Sequence, residues 1–135
     1  MGGKARSAPG ILNDICYNQL NMDKIPKSFG WAINGIRVVW REEINFRIEV
    51  VIAVIVLCSA YYLNFLMRDM MIIVGCVGAV LSAEILNTAV EDLCNKVEPN
   101  IDPVIGKVKD IMGGFVLIVC FVSAVIGAII FWSYL

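Results

Sequence analysis

Residues 111–135 contain no charged side chain. As a helix they would reach about 37 Å, more than the roughly 30 Å hydrocarbon core of a bilayer. Backbone that crosses lipid must satisfy its own polar groups, which leaves a helix or a closed barrel. A second uncharged run, residues 50–67, is interrupted only by Ser59 and Asn64. Between the two lies a run uncharged over residues 70–83 that continues as Glu84-Ile85-Leu86-Asn87-Thr88-Ala89-Val90-Glu91. Its uncharged part is too short to cross alone, so a spanning helix must carry Glu84 into or near the membrane. A re-entrant or interfacial segment is the alternative, and length argues against it. Arg68-Asp69 reads as a tight turn after the first run, and no proline interrupts residues 70–98. The stretch Glu98-Pro99-Asn100-Ile101-Asp102-Pro103 then breaks the helix.

The expected architecture is all-α and integral to the membrane, with an N-terminal amphipathic surface helix and three transmembrane helices. The spans are expected at about residues 48–67, 70–98 and 109–134. Over residues 25–47 an amphipathic helix is predicted. Phe29, Ile33, Ile36, Val39 and Trp40 recur at helical spacing, while Lys27, Asn34, Arg37 and Arg41 fall largely elsewhere. Residues 1–23 read as a tail and residues 24–135 as one domain. The tail lacks the apolar stretch of a signal peptide, and Arg6 stands where an N-myristoylation motif needs Ser or Thr.

Charge placement predicts orientation. Lys4, Arg6, Lys24, Lys27, Arg37, Arg41 and Arg47 precede the first span, and Lys96, Lys107 and Lys109 lie between the second and third. Only Arg68 falls in the first turn. The positive-inside rule therefore puts the N-terminus and second loop in the cytoplasm and the first turn outside, with Trp132 and Tyr134 in an outer interfacial belt.

Composition narrows the function classes. The chain is 59% hydrophobic and 17% charged, with a mean hydropathy of +0.79. That is far more apolar than a disordered chain tolerates. A net charge of −1 and a pI near 5.3 offer no basic footprint for nucleic acid. The absence of histidine removes Ser-His-Asp and Cys-His catalysis and His-ligated zinc. The 5 cysteines, Cys16, Cys58, Cys76, Cys94 and Cys120, have no CxxC spacing and read as small packing residues.

Glu84, Asn87 and Glu91 stand at i, i+3 and i+7, so at 100° per residue they share one narrow helix face. Ionisable groups at membrane depth are costly and are functional candidates by default. The bland alternative is a polar seam that joins helices. Two nearby acids repel unless a proton or cation lies between them. With no histidine and no usable cysteine, the fitting cation is Mg²⁺, held by carboxylates and phosphate oxygens. Glu42-Glu43 ends the surface helix and Lys109-Asp110 opens the third span, all on the same expected side of the membrane. Carboxylates, an amide and a lysine there suggest nucleotide phosphate chemistry on a lipid-embedded acceptor. The common phosphate cradles are missing: Gly106-Lys107 lacks the upstream glycine of a P-loop, and no GxGxxG occurs.

The run Ala83-Glu84-Ile85-Leu86-Asn87-Thr88-Ala89-Val90-Glu91 resembles the signature of the small bacterial diacylglycerol and undecaprenol kinases. Gly35-Ile36-Arg37, Trp40, Glu43, Phe46-Arg47 and Glu49 resemble the family's passage from surface helix to first span. Lys109-Asp110 matches its Lys-Asp element, and Phe131-Trp132-Ser133 its tail. The likeness covers about residues 24–135. It implies a kinase that transfers the γ-phosphate of ATP to a membrane lipid alcohol in the bacterial inner membrane, with Glu84 as general base. Glu43 and Glu91 would bind Mg²⁺ on the ATP phosphates. Asn87 would orient the acceptor or Glu84. Lys109 would neutralise phosphate charge, Asp110 would support the site, Asn95 would border the nucleotide, and Lys24 would lie near lipid or phosphate. The resemblance also implies a homotrimer with sites shared between subunits. Asn95 and Asp102 depart from it, standing where the family commonly has Asp and His.

Diacylglycerol is the expected acceptor, on the Gly106-Lys107 approach and the Trp132-Ser133 tail. Undecaprenol is the rival, on Asn45-Phe46-Arg47-Ile48. A reading of another class makes the chain a small transporter or helix-packing membrane protein.

Overall fold

The computed structural model describes residues 24–135, with side chains from residue 27 onward. The described residues are helical with short connections: α1 (Lys24–Glu42), α2 (Ile44–Tyr62), α3 (Met67–Val97) and α4 (Pro103–Trp132). The expected tail, Cys16 and the Lys24 side chain lie outside the described residues. The chain divides at Val38 into two units.

In the first unit, α1 carries the amphipathic pattern of the sequence, with Phe29, Trp31, Ile33 and Ile36 all exposed. The second unit begins at Val39. Glu43 interrupts the helix in an extended conformation, φ −102° and ψ 118°. Its N–H donates to Val39 O at 2.9 Å, and Arg47 Nε donates to Glu43 O at 3.4 Å. The Trp40 and Phe46 rings meet edge to face across the break, 6.5 Å apart at 88°, with Phe46 and Val39 buried.

A seam of small residues joins α2 to α3. Ala53, Ala60 and Ala83 are buried there with Ile73, and small side chains let apolar helices approach closely in lipid. Asp69, Glu84 and Thr88 are buried, while Phe115, Leu117, Phe121 and Ile129 of α4 face outward. Polar groups inside and hydrocarbon outside is the distribution a bilayer demands. Helices α2, α3 and α4 are each long and apolar enough to cross one.

At the far end of α2 the chain turns through Asn64, whose φ of 54° is the left-handed conformation that asparagine tolerates. Tyr134 clasps this turn. Its hydroxyl donates to Asp69 Oδ2 at 2.6 Å and accepts from Leu66 N at 2.9 Å, while its ring stacks on Phe65 at 4.1 Å. Arg68 Nε donates to Asp69 Oδ1 at 3.1 Å. Between α3 and α4, Glu98 Oε1 accepts from Asn100 N at 3.0 Å and from its Nδ2 at 2.8 Å. These bonds hold the Glu98 carboxyl below its ordinary 4.5, the backbone donor contributing most.

Three helix ends differ from the sequence reading. The first break comes at Glu43, at the Glu42-Glu43 end of the surface helix but short of the outer bound at residue 47, because a single extended residue re-aims the chain without disturbing apolar periodicity. The first turn lies before Met67, and Arg68 and Asp69 occupy the opening of α3 instead. Helix α4 starts at Pro103 rather than near 109. Proline ends a helix only in its interior and suits its first turn. Asp102 caps it there, accepting from Val104 N and Ile105 N at 2.8 and 3.0 Å.

Candidate active site

Helix α3 is 31 residues long, about 46 Å, so it outruns the roughly 30 Å hydrocarbon core. Measured from Met67, Glu84 lies about 26 Å along it, Glu91 about 36 Å and Asn95 about 42 Å. If the Tyr134 clasp marks one membrane surface, Glu84 sits just within the other and Glu91 just beyond it. That depth is the boundary between hydrocarbon and water.

Glu84 is 3% exposed. Its carboxyl faces the Asn45 side chain, and Glu43 and Glu91 lie within electrostatic range. Thr88 Oγ1 donates to the Glu84 carbonyl at 3.0 Å and pins that turn of α3. Glu43 is presented by the break before α2, and its carboxylate makes no capping bond to the helix. Asn87 Nδ2 donates to Glu91 Oε1 at 3.3 Å, while the buried Asn87 Oδ1 has no partner. One turn further, Lys109 Nζ donates to Asn95 Oδ1 at 2.6 Å and ties α4 to α3. Asp110 follows on α4, exposed.

The structure thus gathers Glu43, Glu84 and Glu91 around one end of α3, pairs Asn87 with Glu91, and pairs Asn95 with Lys109. The reading from sequence missed two neighbours. Asn45 faces Glu84 from the first turn of α2. Glu49, one turn deeper, lies within electrostatic range of Glu84. Its Oε1 accepts from Cys120 Sγ at 3.8 Å, and its buried Oε2 has no partner. The signal was present: a carboxylate between Ile48 and Val50 is as costly at membrane depth as Glu84. Glu49 also borders a cavity of about 410 Å³ lined by Ala53, Ile73, Val80, Cys120 and Gly127, within the range of small-molecule sites.

The donor set fits a hard divalent cation. It consists of carboxylate and amide oxygens, including the unpartnered Asn87 Oδ1. Among the described residues no cluster of three His, Cys, Asp or Glu side chains is close enough to hold a metal alone. Mg²⁺ commonly takes one or two carboxylates and completes its shell with phosphate oxygens and water.

The prokaryotic diacylglycerol kinase family model matches residues 30–131. The chain is 27% identical over 120 residues to the diacylglycerol kinase of Escherichia coli K12, covering 89% of this chain and 98% of that protein. It is 32% identical over 114 residues to the undecaprenol kinase of Bacillus subtilis, covering 84% and 91%. To the diacylglycerol kinase of Haemophilus influenzae it is 25% identical over 117 residues, covering 86% and 99%. With the match running from α1 into the last turn of α4, through the whole acidic face of α3, the chain belongs to the prokaryotic diacylglycerol kinase family.

Proposed function

We propose that the protein transfers the γ-phosphate of ATP to the hydroxyl of diacylglycerol, giving phosphatidic acid, at the cytoplasmic face of a bacterial inner membrane. The observation that carries this is the burial of Glu84 on a helix long enough to cross a bilayer, with Glu43 and Glu91 within electrostatic range and Lys109 tied to Asn95 further along the same helix. Glu84 accepts the proton of the acceptor hydroxyl as its oxygen attacks phosphorus, and the bond to the ADP leaving oxygen breaks in line. Asn87 orients the acceptor or Glu84. Glu43 and Glu91 would hold Mg²⁺, which when bound supplies charge neutralisation on the triphosphate. Lys109 meets the phosphates, with Asn95 and Asp110 beside it and Lys24 on the lipid or phosphate side. The cavity beside Glu49 has the size and apolar lining to take part of the acceptor's hydrocarbon chain. The reading extends to a homotrimer with shared sites, in keeping with an α4 that has no fully buried residue.

Undecaprenol is the second reading, favoured by the 32% identity to the Bacillus subtilis undecaprenol kinase. The test is the purified full chain in lipid–detergent micelles with radiolabelled ATP and Mg²⁺, offered diacylglycerol or undecaprenol in turn. Label in phosphatidic acid at the higher kcat/KM is the expected result. Preferential labelling of undecaprenol would move the assignment to the second acceptor. No transfer to either would favour a transporter or packing role.

A further inference from the structure

The cavity beside Glu49 holds a hydroxyl that the proposed mechanism does not use. Its side chains are hydrocarbon apart from those of Glu49, Cys76, Cys120 and Ser123. The Cys120 thiol is taken up by Glu49 Oε1 at 3.8 Å. Ser123 is half-buried and makes no hydrogen bond to any described residue. A serine inside an apolar helix commonly turns its hydroxyl back onto the carbonyl four residues earlier. Ser59 does so on Ile55 O at 2.8 Å, as Thr88 does on Glu84 O at 3.0 Å. Ser123 does not, so its O–H is free to donate into the cavity that it lines.

The level of that hydroxyl follows from how α4 is pinned. It runs antiparallel to α3 and is tied to it at both ends, by Lys109 on Asn95 and by Tyr134 on Asp69. Counting along both helices from either bond sets Cys120 beside Glu84 to within one residue. The same count sets Ser123 beside Val80 and Leu81, about 4.5 Å further from the acidic end of α3. Cys120 is accordingly within electrostatic range of Glu84, and Val80 and Leu81 share the cavity wall with Ser123.

A diacylglycerol has polar atoms at the same spacing. The carbonyl carbon of its neighbouring ester is four bonds from the free hydroxyl oxygen, about 4–5 Å when extended at ordinary bond lengths. With the hydroxyl at Glu84, that carbonyl falls level with Ser123, and its acyl chain continues along Ala124 and Gly127. A polyprenol carries only hydrocarbon beyond its hydroxyl and would leave the Ser123 donor unpaired in an apolar cavity, which is costly.

We propose that Ser123 is a specificity-determining residue that donates a hydrogen bond to an acyl-ester carbonyl of the lipid acceptor and so favours a diacylglycerol over a polyprenol. The inference rests on the reading that Glu84 takes the proton of a diacylglycerol hydroxyl, and it names what selects that acceptor.

The test uses the full chain in lipid–detergent micelles with MgATP, as wild type, Ser123→Ala and Ser123→Cys. Each is offered a diacylglycerol, the dialkylglycerol of equal chain length, whose ether links replace the ester carbonyls by methylenes, and undecaprenol. The wild type is expected to prefer the diacylglycerol to the dialkylglycerol. Ser123→Ala is expected to cut the diacyl-over-dialkyl ratio of kcat/KM about threefold to tenfold, the worth of one neutral hydrogen bond. The ratio over undecaprenol narrows by a similar factor. Ser123→Cys, a weaker donor of nearly the same size, falls between. A loss shared equally by all three acceptors would mark a packing role and overturn the proposal, as would a wild-type diacyl-over-dialkyl ratio near one. Should Ser123→Ala fail to fold, the wild-type and Ser123→Cys ratios decide. Wild-type transfer to diacylglycerol with ratios unmoved by substitution overturns the role of Ser123 and leaves the acceptor reading standing. No wild-type transfer to diacylglycerol removes both.

Discussion

Replacing Glu84 by glutamine separates chemistry from folding more cleanly than any other single change. The two side chains match in shape, so a site 3% exposed to solvent is left without a cavity. Glutamine retains an oxygen and a nitrogen to pair with the Asn45 amide. The bond from Thr88 Oγ1 goes to the main-chain carbonyl of residue 84 and is untouched. The change also removes one negative charge from among Glu43, Glu49 and Glu91. Thermal stability is therefore expected to stay level or rise. Turnover behaves oppositely. A positioned general base contributes roughly 10²–10⁴-fold, or about 2.7–5.4 kcal/mol of barrier at about 1.36 kcal/mol per decade. Glutamine cannot accept the hydroxyl proton, so kcat is expected to fall by that factor while the KM for MgATP changes less than about twofold. The assay is phosphate transfer to diacylglycerol in micelles, alongside a thermal melt of the same preparation. A variant that keeps more than about a tenth of wild-type kcat would refute Glu84 as the base. A variant that loses activity and unfolds early would refute the claim that its burial tolerates neutralisation.

Glu43→Ala and Glu91→Ala are each expected to raise the Mg²⁺ concentration needed for half-maximal activity, or to abolish turnover; a magnesium titration unchanged from wild type would exclude both as ligands. Tyr134→Phe removes the hydroxyl that serves Asp69 and Leu66 while leaving the ring on Phe65. It is expected to lower the thermal midpoint without altering the KM for either substrate. Glu98 titrates below its ordinary value when folded, so its bonds to Asn100 contribute fully above pH 4.5 and are lost as pH falls through the depressed value. Hydrogen exchange at the Asn100 amide should report that loss, and Glu98→Gln should remove its pH dependence. Ala60 is 0% exposed, so Ala60→Leu is expected to force α2 from α3 at a cost of about 1–3 kcal/mol, read in a detergent unfolding titration.

The proposed site is graded in depth along a single long helix. Because α3 rises about 1.5 Å per residue, the seven-residue step from Glu84 to Glu91 moves a carboxylate about 10 Å toward water while rotating it only about 20°. Under the proposed function, acceptor chemistry at Glu84 and nucleotide chemistry at Glu91 share one face at different heights. A lipid alcohol held at the interface and a soluble triphosphate can meet there without either leaving its own medium.

How much of this was legible in the sequence follows from the range of each interaction. Uncharged runs such as residues 111–135 announce spanning helices because lipid imposes hydrophobicity on every turn. The shared face of Glu84, Asn87 and Glu91 follows from helical periodicity alone, since their relative angles need no partner. Residue order could not show which side chains from other elements come to that face. Glu43 reaches it because one extended residue breaks α1 from α2. Lys109 reaches Asn95 because Pro103 starts α4 earlier than a helix breaker should, and Asp102 caps it there. Glu49 and Cys120, 71 positions apart, meet only once α2 and α4 pack beside α3, and the Tyr134 clasp on Asp69 closes in the same way. Periodicity is a property of one helix and can be counted along the chain. Contacts between helices depend on where each begins and how it is turned against its neighbours, and only the folded structure fixes that.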